Sequence, residues 1–156
     1  MTVEDVYEIS TEGRQVGILN GLTVVSLGPL GFGRPSRVAA SVGAGDESFT
    51  NIERDVDLSG PIHNKGMAML EGFMRKKFGR EKALPAHMAL TFEQSYGPID
   101  GDSASSAEIY ALLSALSEIP LRQDLAVTGA VNLRGDVMAV GGVNEKILGF
   151  FELCSE

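Results

Sequence analysis

Cysteine, histidine and long apolar runs are all scarce in this sequence. Its single cysteine, Cys154, cannot form an internal disulfide, so we expect a reduced, cytoplasmic setting. One cysteine and two histidines provide no spacing typical of a metal centre, and we expect no metal. No uninterrupted apolar run approaches the roughly 20 residues of a membrane-spanning helix, so no membrane association is expected. The first residues, 1–12, are polar and acidic rather than typical of a signal peptide.

Positive charge is also in short supply. There are 13 lysines and arginines against 21 aspartates and glutamates, which gives a net charge of −8. This balance disfavours nucleic acid and anionic membrane surfaces as partners. The chain of 156 residues, 44% of them hydrophobic, is long enough for one domain with a core. We expect residues 1–12 to be a linker or disordered start and residues 13–156 to form that domain.

Strand patterns dominate the first third of the sequence. The dipeptide Asn20-Gly21 lies between two apolar runs, and it predicts a two-residue hairpin turn because both central positions of such a turn need positive φ. Residues 28–35 are rich in glycine and proline, which predicts a loop. No Gly-Lys-Ser/Thr follows that loop, so it is not interpreted as a phosphate-binding loop. Strands are predicted over residues 15–19, 22–27, 36–42, 48–54 and 87–92.

Three segments have the periodicity of helices: residues 61–78, 103–119 and 145–154. The middle helix is apolar on most sides, which is typical of a buried helix. A second hairpin is predicted within residues 124–140. The buried faces are predicted to be Ile62, Met69, Leu70 and Phe73 in the first helix and Ile147, Phe150, Phe151 and Cys154 in the last.

Ser103 and Lys146 are the candidate catalytic residues. A serine hydroxyl is a poor nucleophile at neutral pH and needs a base beside it, a role that lysine can take in place of histidine. Neither His63 nor His87 lies in a serine-hydrolase motif, and His63 is interpreted as a helix cap. The alternative for Ser103 is a structural role as an N-cap, since serine is favoured there.

The surroundings of the pair indicate how it could work. Ser103 opens a predicted helix, where backbone N–H groups without helical partners could bind an oxyanion, and Gly101 lets the backbone approach a substrate. Lys146 has apolar neighbours whose packing would lower its pKa. A carboxylate at Asp100 or Asp102 would raise that pKa instead, and both aspartates could equally be helix caps.

Two motifs, residues 101–105 and residues 142–146, together with residues 127–129 between them, resemble the proteolytic domain of Lon proteases. The aspartate directly before the serine, Asp102, resembles the residue at that position in the B-type branch of the family. Residues 92–96, 142–146 and 149–151 look closest to the bacterial Lon-like group within the branch. The resemblance covers about residues 13–156.

The resemblance implies an α/β (α+β) domain with mixed sheets, hairpins and three main helices. It implies that Ser103 is the nucleophile and Lys146 the general base. It also implies that the Thr128 hydroxyl helps to orient that lysine, although threonine is common in ordinary strands. Asp102 and Asp100 match supporting acidic positions beside the serine.

The resemblance further implies a serine endopeptidase that hydrolyses unfolded or damaged proteins as a homo-hexamer driven by an AAA+ ATPase. No Gly-x-x-x-x-Gly-Lys-Ser/Thr run is present, so ATP is expected to bind a module elsewhere, and no cofactor is expected in this domain. The family's final strand and helix are expected to be missing, which predicts a truncated domain. The alternatives are an inactive Lon-type domain for assembly or substrate holding, and a relative of small-molecule kinase or ribosomal-protein domains of similar shape, which no phosphate loop supports.

Overall fold

The computed structural model describes residues 9–46, 48–79 and 86–155. Most of the predicted N-terminal linker, residues 1–8, lies outside them. The strands are β1 (Arg14–Gln15), β2 (Ile18–Leu27), β3 (Leu30–Ala44), β4 (Ser48–Asn51), β5 (Ala86–Phe92), β6 (Leu121–Arg122), β7 (Ala126–Val127), β8 (Ala130–Val131) and β9 (Val137–Met138). The helices are α1 (Ile52–Asp55), α2 (Pro61–Phe78), α3 (Ser105–Ser117) and α4 (Val143–Cys154).

A five-stranded sheet with the order β4-β5-β3-β2-β7 forms the centre of the fold. The long strands β2 and β3 pair antiparallel, as do β3 and β5. The outer strands β4 and β7 pair parallel with β5 and β2. Two-stranded pairs β1-β6 and β8-β9 complete a mixed α/β fold with three main helices, and β8-β9 is the predicted second hairpin. The predicted fold class is therefore confirmed.

The hairpin predicted at Asn20-Gly21 is wrong, because both residues lie inside β2. The turn falls at residues 28–29, where Gly28 has a φ of 61°. Asn20 is fully buried and its Nδ2 donates to the Gln123 carbonyl at 2.8 Å, so it joins β2 to the segment after β6 rather than forming a turn. A Cβ on Gly21 would lie 3.2 Å from Val38 Cγ2. Packing against residues far away in the chain therefore keeps Asn20 and Gly21 in a strand, although their local preference is a turn.

The loop predicted over residues 28–35 is also wrong beyond its first two residues, since β3 begins at Leu30. Gly33 lies where α4 crosses this strand. A Cβ on Gly33 would overlap the carbonyl of Glu145 and come within 2.7 Å of the Lys146 nitrogen. A Cβ on Gly149 would in turn overlap the Gly33 backbone. We call this close approach of Gly33 and Gly149 the glycine crossing; it shows that Gly33 serves helix packing rather than a turn.

Helix α2 spans the predicted range, but its buried face is rotated from the prediction. Ile62 is 54% exposed, and His63, predicted to be a cap, is 2% exposed. Gly66 lets the helix approach Asp102 closely, since a Cβ there would lie 3.1 Å from the Asp102 Cβ, and this contact sets the helix rotation. The buried residues are His63, Gly66, Met67, Leu70 and Met74.

The predicted inner face of α4 is wrong for three of its four residues, and only Phe150 is half-buried. Ile147 is 60% exposed, Phe151 is 66% exposed and Cys154 is exposed. The glycine crossing turns Gly149 toward the sheet, and Lys146, one turn earlier on the same face, is the buried residue of this helix. The helix is therefore docked by its lysine and glycine side, and several of its apolar side chains face outward.

The core lies between the central sheet and helices α2 and α3. Among the described residues, no helix combines the length and apolar character needed to cross a bilayer. Fully buried core residues include Val38, Leu70, Leu90, Ala107 and Leu112.

Candidate active site

Ser103 lies in the loop of residues 99–104 that precedes α3, which we call the serine loop. The Ser103 carbonyl accepts hydrogen bonds from the Gly129 amide at 2.7 Å and from the Thr128 hydroxyl at 3.1 Å. The Gly129 carbonyl in turn accepts from the Ser106 amide at 2.9 Å. These bonds fix the serine loop against the segment that follows β7.

The structure brings Ser103, Lys146 and Thr128 together. Lys146 Nζ lies 3.0 Å from Ser103 Oγ and 3.1 Å from Thr128 Oγ1. The N-cap of α3 is Ala104, and Ser103 makes no capping bond there, so the structural alternative for Ser103 is wrong. Thr128 follows β7 instead of lying within it, and its hydroxyl contacts both partners.

Lys146 is 3% exposed, which is unusual for a lysine. Burial lowers the pKa of Lys146, and the negative charge of Asp102 offsets part of that effect. The source of the burial differs from the sequence argument, because Ile147 faces outward while the glycine crossing presses α4 against β3. A lysine held in this way is more readily neutral, and only a neutral amine can accept a proton.

Asp100 and Asp102 lie in different environments. Asp100 Oδ1 accepts from the amides of Ile62 and His63, both at 3.0 Å, and from the Gly101 amide at 2.8 Å. Hydrogen bonds from the backbone amides of His63 and Gly101 are the main reason that the pKa of Asp100 is lowered. Asp100 thus joins the serine loop to the start of α2, whereas Asp102 acts on Lys146 through its charge.

Ser103 and Lys146 line an open cavity of about 550 Å³. One wall comes from residues 23–25 of β2 and the other from residues 95–101. His63 also lines this cavity. No group of three or more histidine, cysteine, aspartate or glutamate side chains arranged for a metal occurs in the described part of the chain.

Sequence reasoning missed a buried polar cluster of Glu53, His63 and Glu108 beside the serine loop. Their exposed fractions are 3%, 2% and 1%. The sequence could have indicated Glu108, because it is the one charged residue in the otherwise uncharged α3. It gave no such indication for Glu53, since the α1 segment that carries Glu53 was predicted as strand.

Comparison with known proteins points to one family. Residues 86–152 match the Lon protease (S16) C-terminal proteolytic domain. The chain is 47% identical over 150 residues to a Lon protease homolog of Escherichia coli (strain K12), covering 95% of this chain and 26% of that protein. It is 45% identical over 153 residues to a Lon protease homolog of Haemophilus influenzae, with 97% and 25% covered. It is 36% identical over 143 residues to the archaeal Lon protease of Methanocaldococcus jannaschii, with 85% and 21% covered.

The chain therefore spans about a quarter of the length of these relatives. The matched region of 86–152 includes Lys146 together with Ser103 and Thr128, whose side-chain oxygens lie within hydrogen-bonding distance of Lys146 Nζ. The fold is the mixed α/β fold that the resemblance predicted. The chain accordingly belongs to the Lon protease family, as a proteolytic domain.

Proposed function

We propose that this domain is a serine endopeptidase in which Ser103 attacks the peptide carbonyl and Lys146 is the general base. The observation that carries the proposal is the 3.0 Å separation of Lys146 Nζ and Ser103 Oγ at a buried position. A neutral amine at this distance can take the hydroxyl proton as the C–O bond forms. The resulting ammonium then protonates the leaving amine, and the C–N bond breaks to give an acyl-enzyme. Water, deprotonated by Lys146, then attacks the ester carbonyl. The bond from that carbon to Ser103 Oγ breaks, the Lys146 ammonium returns its proton to Ser103 Oγ, and the second product leaves as a carboxylic acid.

Thr128 is proposed to orient the base. Its hydroxyl donates to the Ser103 carbonyl at 3.1 Å, so its oxygen is free to accept from Lys146 Nζ, also at 3.1 Å. With one N–H of the neutral amine donated to Thr128, the lone pair of Lys146 Nζ can point at Ser103 Oγ. Holding a base in reaction geometry before substrate binds lowers the entropic part of the barrier.

The Ser103 amide is the proposed oxyanion donor. The Ser105 and Ser106 amides at the start of α3 already donate to the carbonyls of Asp102 and Gly129. We therefore place the donor in the serine loop before the helix. The Ser103 amide is the candidate there because it belongs to the same residue as the attacking Oγ. An amide in such a place stabilises the charge that develops on the carbonyl oxygen.

The proposed substrates are extended segments of unfolded or damaged proteins. The cavity is open, and its walls are a strand, residues 23–25, and a loop, residues 95–101, which suits a chain without tertiary structure. As in the family, we propose that the domain works in a cytoplasmic homo-hexamer. Unfolding would be driven by an ATP-binding AAA+ module elsewhere in the protein, and no cofactor, nucleic acid or membrane is proposed for this domain.

The test is labelling by a fluorophosphonate probe together with hydrolysis of a short fluorogenic peptide. Ser103→Ala should lose both, while Ser117→Ala, an exposed serine of α3 bonded to the Leu113 carbonyl, should keep both. Circular dichroism confirms that each variant folds. Full peptidase activity in pure Ser103→Ala would overturn the proposal. A wild-type protein that binds denatured protein without cleaving it or reacting with the probe would favour the inactive-domain alternative.

A further inference from the structure

Glu53 is a buried acid on α1 that the proposed chemistry of Ser103 and Lys146 does not use. Its Oε2 has no hydrogen-bond partner among the residues that the structure describes. A carboxylate in a protein interior destabilises the fold unless its contacts offset the loss of water. The other oxygen, Oε1, provides such contacts. It accepts from the Thr91 hydroxyl at 2.7 Å and from the Phe92 amide at 2.8 Å.

These two bonds hold the end of β5, where one wall of the cavity begins. We call residues 95–101, which line the cavity, the wall segment. It follows β5 after a tight turn in which the Ser95 amide donates to the Phe92 carbonyl at 3.2 Å. Gln94, inside this turn, has a φ of 56°, a conformation that is uncommon for residues other than glycine. Glu53 therefore fixes the strand residue from which the turn and the wall segment start.

The backbone of Glu53 is linked to the other end of the wall segment. Its carbonyl accepts from the Leu58 amide at 2.7 Å, and the Leu58 carbonyl accepts from the Ile99 amide at 2.8 Å. Ser59 and Ile99 form a parallel bridge at this point. The Gly60 amide donates in turn to the Ile99 carbonyl at 2.7 Å. Glu53 thus connects both ends of the wall segment, one through its side chain and the other through its backbone.

Helix α1 is a single turn, and caps at both of its ends fix the direction of Glu53. Asn51 Oδ1, at the N-cap, accepts from the Arg54 amide at 2.8 Å. At the other end, the Leu58–Glu53 bond and a bond from the Asp57 amide to the Arg54 carbonyl form a Schellman motif, with Asp57 at a φ of 59°. A single helical turn has little stability of its own, so these caps and the contact with β5 hold it in place.

Ser103 is supported from a different part of the chain. Its carbonyl accepts from the Gly129 amide and the Thr128 hydroxyl, which lie between β7 and β8. The nucleophile and the wall segment therefore have separate supports. A change at Glu53 should move the wall segment and leave the 3.0 Å contact between Ser103 and Lys146 in place.

We propose that Glu53 is a positioning residue for the substrate, holding the wall segment at the distance from β2 that admits an extended peptide. The proposal rests on the proposed function, because it takes the cavity beside Ser103 as the substrate site. It assigns Glu53 to substrate binding rather than to bond making. Loss of Glu53 should therefore raise KM for a peptide without changing the reactivity of Ser103.

The test compares Glu53→Ala, Thr91→Val and Glu53→Gln in the full chain, using the fluorogenic peptide and the fluorophosphonate probe. Glu53→Ala removes both bonds, so KM should rise about 10-fold while the labelling rate of the folded fraction stays within about 2-fold of wild type. Thr91→Val keeps the shape of the side chain and removes one bond, so KM should rise about 3-fold. Glu53→Gln keeps an oxygen that can accept both bonds, and its KM should stay within about 2-fold of wild type.

Glu108→Ala is the matched control, because it removes a second buried acid beside the serine loop, one whose Oε1 has no hydrogen-bond partner in the described part of the chain. A variant that only loses folded protein lowers the apparent kcat and keeps KM, and we expect this of Glu108→Ala. If Glu53→Ala does not fold, Thr91→Val still decides. An unchanged KM in Thr91→Val, or an equal rise in Glu108→Ala, would overturn the proposal. So would a loss of probe labelling in the folded fraction of Glu53→Ala.

Hydrogen exchange tests the same contacts without activity. In Glu53→Ala or Thr91→Val, the amides of residues 92–99 should exchange about 10-fold faster than in the wild type, while those of residues 103–106 keep their protection. Equal acceleration in the two segments, or none in either, would contradict the proposal. If wild-type Ser103 never reacts with the probe, the proposed function fails, and the exchange measurement still tests whether Glu53 holds the wall segment.

Discussion

Two neighbouring aspartates of the serine loop have different electrostatic effects. The charge of Asp102 raises the pKa of Lys146, against the larger lowering that burial causes. Asp100 is instead held by backbone amides at the start of α2. At the scale of single residues, the structure therefore separates two acids that the sequence could only group together.

The pH dependence of hydrolysis should follow Lys146 and Asp102. Only neutral Lys146 accepts a proton, so kcat/KM should rise with pH through a pKa below the value of about 10.4 for a free lysine. Asp102→Asn removes the charge that raises this pKa, and the rising limb should move to lower pH. Lys146→Arg should lose both limb and activity, because arginine stays protonated. A pH–rate profile on a short fluorogenic peptide checks all three forms.

Asp100→Asn is the control for that series. Its carboxylate is bound at α2, so the substitution should leave the position of the limb unchanged even if the rate falls. A limb near pH 6.5 that survives Lys146→Arg would assign the base to a histidine and contradict the Ser103–Lys146 pair.

At the scale of elements, the sequence predicted which segments are helices better than it predicted which way they face. The bounds of α2 follow from periodicity and Pro61. Its rotation depends on Gly66 approaching Asp102, a contact between segments far apart in the chain. The outward face of α4 has the same kind of cause, because the glycine crossing determines it. Periodicity reports that a helix is amphipathic, but it does not report which partner it meets.

The candidate site divides in the same way. Ser103 and Lys146 lie in motifs that are local in sequence, so the pair could be predicted. His63 and Glu108 become meaningful only once α2 and α3 are packed side by side. The sequence shows Glu108 as a single acidic residue in an apolar helix, but this pattern does not indicate that His63 is its neighbour.

Substitution at the glycine crossing should disturb Lys146 through its helix. Gly33→Ala would place a methyl group against the Glu145 carbonyl, so α4 has to shift, at a cost of about 1–3 kcal/mol in the free energy of unfolding. Since the Lys146–Ser103 contact is short, the labelling rate of Ser103 should fall by more than the loss of folded protein explains. Urea unfolding and probe labelling measure the two effects.

Gly43→Ala is the matched control on the same strand, because a Cβ there meets nothing within 4 Å. It should leave both stability and labelling close to wild type. A Gly33→Ala protein that labels at the wild-type rate would show that the base does not depend on this crossing.

At the scale of the whole molecule, the buried carboxyl of Glu108 should make folding stability depend on pH. The pKa of Glu108 is about 8 in the folded state, above its ordinary value of 4.5. Between these values the folded state binds more protons than the unfolded state, so this contribution to stability falls as pH rises. The slope is at most about 1.4 kcal/mol per pH unit. Glu108→Gln should remove it, which urea unfolding from pH 5 to 9 can measure.

Glu152→Gln, at an exposed position on α4, is the control for the Glu108 series. The difference in stability between wild type and Glu152→Gln should stay constant with pH. The difference between wild type and Glu108→Gln should grow up to about pH 8 and then level off. A constant difference in the Glu108 series would mean that this carboxyl does not gain a proton on folding.

The glycine crossing also restricts how this sequence can evolve. When one residue of a packed pair becomes larger, a smaller residue opposite it can usually restore the fit. Gly33 and Gly149 both lack a side chain already, so neither can become smaller to accommodate the other. A larger residue at either glycine would change the spacing between β3 and the helix that carries Lys146. No smaller residue at the other glycine can compensate for it. We expect descendants that retain the crossing to retain both glycines together.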